Sequence, residues 1–194
     1  MGEFRPFFQE IEDGYDTLEW CAAQPWRTGQ VGMFGRSYVG ATQWLAAVSG
    51  HKALACVAPG ITASDYYEGW IYQGGAFQWG FVLSWTLFQL TLANLPAIDR
   101  NRFLPPETRD QLVRAVDGMD EAFRFLPLQK FPLLKDGLAP YFYEWLSHPH
   151  LDEYWRAVRV EEYYSRIAAP AFNIGGWFDI FLWGTLRNFG GVRQ

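Results

Sequence analysis

The chain has 194 residues and a net charge of −5, enough for one domain with a real core and marginal for two. No basic stretch runs beyond a couple of residues, so a nucleic-acid partner is not expected. Cys21 and Cys56 share neither metal-ligand nor redox spacing and read as buried free thiols.

The aromatic share is high, with 10 Trp, 10 Tyr and 16 Phe. Such residues fill a large core or line a pocket for bulky apolar groups. The first ten residues include Glu3, Arg5 and Glu10 and lack the apolar centre of a signal peptide, which points to the cytoplasm. The most apolar stretch, 76–98, holds Gln78, Ser84, Thr86, Gln89, Thr91 and Asn94. It is too polar to span a membrane and reads as a buried or pocket-lining helix.

In chain order, Tyr15, Leu18, Cys21 and Ala22 predict an amphipathic helix over 13–24, which Asp13 caps and Pro25 ends. A turn at 27–29 leads to a buried strand over 30–35. A helix over 38–49 follows, with Gly40 and Ala41 small enough for close packing on a sheet and Gly50 as its stop. A second apolar strand, 53–58, ends in Pro59-Gly60. Strand, helix and strand at this spacing make a βαβ unit and hence a parallel sheet.

From 65 to 166 no strand is predicted. Helical runs over 76–93, 106–117, 141–146 and 150–158 alternate with prolines, the mark of a helical insertion. The α/β alternation resumes with a strand over 171–174, a turn at Gly175-Gly176 and a helix over 180–189. The organisation expected is an α/β core over 1–64, a helical cap over 65–166 and the resumed core over 167–194. Three parallel strands alone leave both sheet edges bare, so the sheet is expected to be partial and open to oligomerisation through those edges.

Gly35-Arg36-Ser37-Tyr38-Val39-Gly40 lies between the first strand and its helix. It is a form of the G-x-S-x-G nucleophile elbow, written G-x-S-Y-x-G, and makes Ser37 a candidate nucleophile. A serine needs a base, usually a histidine oriented by a carboxylate. The α/β-hydrolase order is Ser, acid, His, with the acid just past a later parallel strand. Asp179 meets that demand. His51 follows the elbow helix, about 18 Å along it and at the wrong edge of the sheet. His148 and His150 flank Pro149 within the insertion, ahead of Asp179. The base is therefore expected beyond Gln194, and the chain alone is expected to be inactive. Trp70, Phe77 and Trp79 are the candidate acyl-pocket residues. The acidic pairs Glu161-Glu162 and Asp152-Glu153 read as solvated helix faces. The chemistry calls for no metal or cofactor.

The runs Asp13-Gly14-Tyr15-Asp16-Thr17-Leu18-Glu19-Trp20, Gln24-Pro25-Trp26 and Gly32 to Gly40 resemble the cocaine-esterase/X-Pro dipeptidyl-peptidase family, which includes α-amino-acid ester hydrolases and glutaryl acylases. Tyr72-Gln73-Gly74-Gly75-Ala76-Phe77 and Gly175-Gly176-Trp177-Phe178-Asp179 fit it too. The resemblance covers nearly the whole chain. It implies an α/β-hydrolase domain with a helical cap between its sixth and seventh strands, Ser37 as nucleophile, Asp179 as triad acid and the Tyr38 backbone N–H as one oxyanion donor. The family's tyrosine hydroxyl donor, its histidine motif and its jelly-roll domain match nothing here, so the chain resembles the middle third of such an enzyme. The function implied is hydrolysis of small-molecule esters or amides through an acyl-enzyme. An X-Pro dipeptidyl peptidase is the alternative, and needs carboxylates for a substrate ammonium, for which Asp65 and Glu68 are the nearest candidates. A non-catalytic truncated hydrolase is the third possibility.

Overall fold

The computed structural model describes residues 4–26, 28–102, 104–135 and 137–192. Residues 1–3 and Arg27, on which readings of the N-terminus and the first turn fall, lie outside them. The chain divides into two compact units, Phe4–Gly74 with Leu151–Gln194, and Gly75–His150.

The first unit opens with helix α1 (Glu10–Ala23), strand β1 (Val31–Arg36), helix α2 (Tyr38–Val48) and strand β2 (Leu54–Gly60). The strands are parallel, with register from Gly32↔Cys56 to Arg36↔Gly60. Ala41, Trp44, Leu45 and Ala46 of α2 are wholly buried. A crossover helix held between a sheet and a second helix has little wet face, so most of its sequence is apolar.

Residues 171–174 pair on the far side of β2. The bridges are Val57↔Ala171 and Gly60↔Ile174, and backbone hydrogen bonds run from Phe172 N to Val57 O (2.9 Å), Ile174 N to Pro59 O (3.1 Å) and Ile61 N to Ile174 O (2.8 Å). The central strand is therefore β2. The sheet face away from α2 is open: Phe34 is 84% and Phe172 71% exposed. Cys56 is exposed too, which corrects the buried thiol expected; strand alternation turns it outward beside Gly32.

The 65–166 stretch is not free of strands. The two-residue strands β3 (Tyr72–Gln73), which belongs to the first unit, and β4 (Ala76–Phe77), in the second, lie within it. The single helix expected over 76–93 is instead β4, helix α3 (Trp79–Ser84) and a π-helix over Trp85–Leu92. A run apolar on nearly every side fixes no helical period, so the widening was illegible. Trp85 here lies parallel to both Phe81 and Trp145. Helices α4 (Leu95–Arg102), α5 (Thr108–Asp117), α6 (Met119–Ala122) and α7 (Pro140–Ser147) complete this unit. Among the described residues no helix is long and apolar enough to cross a membrane.

The first unit resumes with α8 (Glu153–Arg156), a 3₁₀ helix over Val160–Arg166, and α9 (Leu182–Gly191). The acidic pairs are not simply solvated. Asp152 caps α8 by accepting from Tyr154 N and Trp155 N. Glu161, 11% exposed, accepts from Ser64 Oγ (2.6 Å) and pairs with Arg159 and Arg187. This joins α9 to the segment after β2. Gly184 closes the same junction, since a Cβ there would stand 2.6 Å from Ala63 Cα. Asn188 adds a bond to Ala63 O and receives one from Tyr164 Oη.

Candidate active site

Ser37 follows the last residue of β1 with φ 59° and ψ −126°, a conformation costly for a residue with a Cβ. Its N–H is held by Gly60 O at 2.8 Å, and its own carbonyl accepts from Gly40 N and Ala41 N, starting α2. Two glycines make the turn possible. A Cβ on Gly35, at φ 146°, would meet Val39 Cγ1 at 2.6 Å, and one on Gly40 would meet Gly60 O at 3.0 Å. The second small residue of the elbow thus comes one position late; Val39 stands where G-x-S-x-G has its glycine, and the close approach to β2 falls on Gly40.

Strain gathers here. Among the described residues the non-glycine positions with positive φ are Phe7, Ser37 and Ile61. Ile61 follows Gly60, the register partner of Arg36, so it stands beside Ser37 at the carboxyl edge of the sheet. Phe7 packs its ring 5.3 Å from that of Tyr38. Such clustering is typical of sites whose geometry the surrounding fold enforces.

Two supports of the elbow were missed in the sequence. Gln43 is wholly buried; its Nε2 donates to Gly35 O (3.1 Å) and Val39 O (2.9 Å), and its Oε1 accepts from Ala58 N (3.0 Å). Glu10 accepts from the Tyr38 hydroxyl at 2.5 Å, and that hydroxyl accepts from Phe7 N at 3.0 Å. Burial pushes the Glu10 carboxyl up, against the pull of the Tyr38 hydrogen bond, and pushes the Tyr38 hydroxyl far above its usual range. A lone polar residue in an apolar helix was the available clue for Gln43; nothing in sequence spacing linked residue 10 to residue 38.

Asp179 lies past the 171–174 segment, in the loop that leads into α9. Both Arg36 and Ile174 pair with Gly60, so the two strand ends stand about 10 Å apart on one sheet edge. Asp179 Oδ1 accepts from Phe181 N (3.0 Å), while Oδ2 is buried and has no hydrogen-bond partner among the described residues. Beside this loop a concavity of about 280 Å³ is walled by Gly176, Trp177, Leu182 and Phe189.

His51 sits at the opposite end of β2, where its Nδ1 accepts from Ala53 N and its Nε2 meets Glu19 Oε2 at 2.8 Å. His148 and His150 belong to the other unit. Trp70 is wholly enclosed, its ring 4.3 Å from Phe181 and 5.1 Å from Phe7. Phe77 and Trp79 lie in the second unit against Phe142, and Trp79 Nε1 donates to Phe123 O. Both oxygens of Asp65 are engaged: Oδ1 accepts from Tyr67 N and Glu68 N, and Oδ2 pairs with Arg159 Nε at 2.8 Å. Glu68 accepts from Gly74 N with both oxygens.

Known proteins are similar to this chain. The chain is 34% identical over its whole length to the cocaine esterase of Rhodococcus sp. (strain MB1 Bresler), and spans 34% of that protein. A crystal structure of a CocE/NonD family hydrolase from Staphylococcus aureus superposes on all of the chain with a TM-score of 0.63 at 21% identity, 28% of that structure being covered. An α-amino acid ester hydrolase matches 95% of the chain with a TM-score of 0.57 at 18% identity, over 29% of its own length. The chain therefore spans about a third of the length of these relatives. These structures share the α/β-hydrolase fold, and because residues 1–194 match the X-Pro dipeptidyl-peptidase (S15) family throughout, the chain belongs to that family of hydrolases.

Proposed function

We propose that Ser37 is the nucleophile and Asp179 the orienting acid of a serine hydrolase that cleaves ester or amide bonds through an acyl-enzyme. The observation that carries this reading is the strained turn at Ser37, held by Gly60 O, with a buried and unpartnered carboxylate oxygen two strands away on the same sheet edge. A triad acid offers such an oxygen to the ring N–H of a histidine. Ser37 Oγ attacks the carbonyl carbon as its proton passes to that base. The oxyanion forms at the start of α2, where the Tyr38 N–H and the helix dipole favour negative charge. The leaving alcohol or amine takes the proton from the base, and water then releases the acid from Ser37.

Esters and simple amides fit better than X-Pro dipeptides. A dipeptide's ammonium needs an uncommitted carboxylate, and the more buried candidate, Asp65, is spent on Arg159 and two backbone N–H groups, while among the described residues Glu68 accepts from Gly74 N alone. The test is labelling of the native protein with a fluorophosphonate. Modification at Ser37, abolished by Ser37→Ala, is expected. A folded full-length protein that takes no label would instead be a non-catalytic chain, expected to oligomerise through its bare sheet edges.

A further inference from the structure

The Tyr38 side chain has no part in the proposed chemistry, which uses only its backbone, yet it is among the most constrained groups near the elbow. Its hydroxyl donates to Glu10 Oε1 at 2.5 Å and accepts from Phe7 N at 3.0 Å. Its ring lies 5.3 Å from Phe7 and 6.5 Å, edge-on, from the wholly buried Trp70. Phe7 is itself held at φ 74°, and its ring stacks 4.2 Å from that of Tyr66. The strained turn at Phe7 aims its N–H at the Tyr38 hydroxyl.

We propose that Glu10 and Phe7 form a positioning clamp on the Tyr38 hydroxyl, which fixes the first residue of α2 and thereby aims its N–H at the oxyanion. Glu10 and Phe7 touch no substrate in this scheme. They act through Tyr38, and the inference rests on the reading of Ser37 as nucleophile. An oxyanion donor works only if it is in place before charge develops, because moving it during the reaction forfeits the stabilisation. A side chain tethered at its far end to two groups of the 7–10 turn loses the freedom that a helix's first turn otherwise keeps. The acceptor on residue 10 matters, and its charge does not.

The experiment compares Tyr38→Phe, Glu10→Leu and Glu10→Gln in the full-length protein that carries the histidine base, with kcat and KM on a nitrophenyl ester, and melting temperature as the check on folding. Loss of the clamp is expected to lower kcat about tenfold with KM within about twofold, short of the 10²–10³ lost when a donor is removed outright. Glu10→Gln keeps a side-chain oxygen for the Tyr38 hydroxyl and should hold kcat within about threefold of wild type. Tyr38→Phe decides alone if Glu10→Leu does not fold. Folded Tyr38→Phe with wild-type kcat overturns the clamp, as does a Glu10→Gln defect equal to that of Glu10→Leu. Full-length wild-type protein that supplies the histidine base and still shows no Ser37-dependent turnover fails differently: it removes the reading of Ser37 and the clamp with it.

Discussion

Gln43 Nε2 reaches back from the second turn of α2 to the carbonyl of Gly35 at 3.1 Å, so the helix that the elbow starts also holds the strand that ends in it. The same side chain accepts from Ala58 N of β2, and none of it is exposed. Replacing it with methionine of similar length leaves the Ala58 N–H buried without its acceptor. Each such orphaned group costs about 1–3 kcal/mol. Gln43→Met should therefore lose about 2 kcal/mol in urea unfolding and label more slowly at Ser37. A loss under about 0.5 kcal/mol would show that the three bonds are replaced by water or by relaxation.

Glu10 gives the fold a pH dependence with a definite sign. Its unfolded value is near 4.5, and burial with the nearby Asp13 raises it in the folded chain. The folded protein then holds that proton more tightly, so the contribution is full below the unfolded value and is lost as pH rises through the raised one. Glutamine is neutral throughout. The melting temperature of Glu10→Gln minus that of wild type should accordingly climb as pH is raised upward from about 4.5. A difference that falls over that range would mean Glu10 is favoured in its charged form.

Arg159 and Asp65 are a buried ion pair, 20% and 3% exposed at the side chain, joined at 2.8 Å. Removing one partner strands the other's charge, which costs about 3–5 kcal/mol. Arg159→Met should be destabilised on that scale. Adding Asp65→Asn should recover much of the loss, since an asparagine Oδ1 can still accept from Tyr67 N and Glu68 N. Equal stability of the single and double variants in guanidinium melts would place the cost at Glu161 and Glu162, the other carboxylates that Arg159 holds.

The elements that carry the proposed chemistry were legible because each has a local cause. The βαβ unit shows in short apolar runs around Gly35 and Gly40, and the acid loop in Gly175-Gly176 after an apolar strand. What was illegible depends on distant partners. Cys56 faces out because of its register with Gly32, and Glu161 is enclosed because Arg187 arrives from a helix some 26 residues on. Trp70 reads like any pocket aromatic until Phe7, from the far end of the chain, covers it.

Asp179 separates a structural from a chemical role within one side chain. Its Oδ1 accepts from Phe181 N in the turn just ahead of α9, and its buried Oδ2 has no donor among the described residues. Asparagine can keep this turn bond, with its carbonyl oxygen toward Phe181 and its amide in place of Oδ2. If Asp179 only starts α9, Asp179→Asn should leave both melting temperature and Ser37 labelling within error of wild type. If it orients a histidine, the amide cannot accept the ring N–H or balance the charge that forms on it. Melting temperature should then hold while labelling falls by about 10³–10⁴, the scale seen when a triad acid becomes an amide. Measuring both quantities on the same preparation tells the two roles apart, because a turn bond acts on stability and a triad acid on rate.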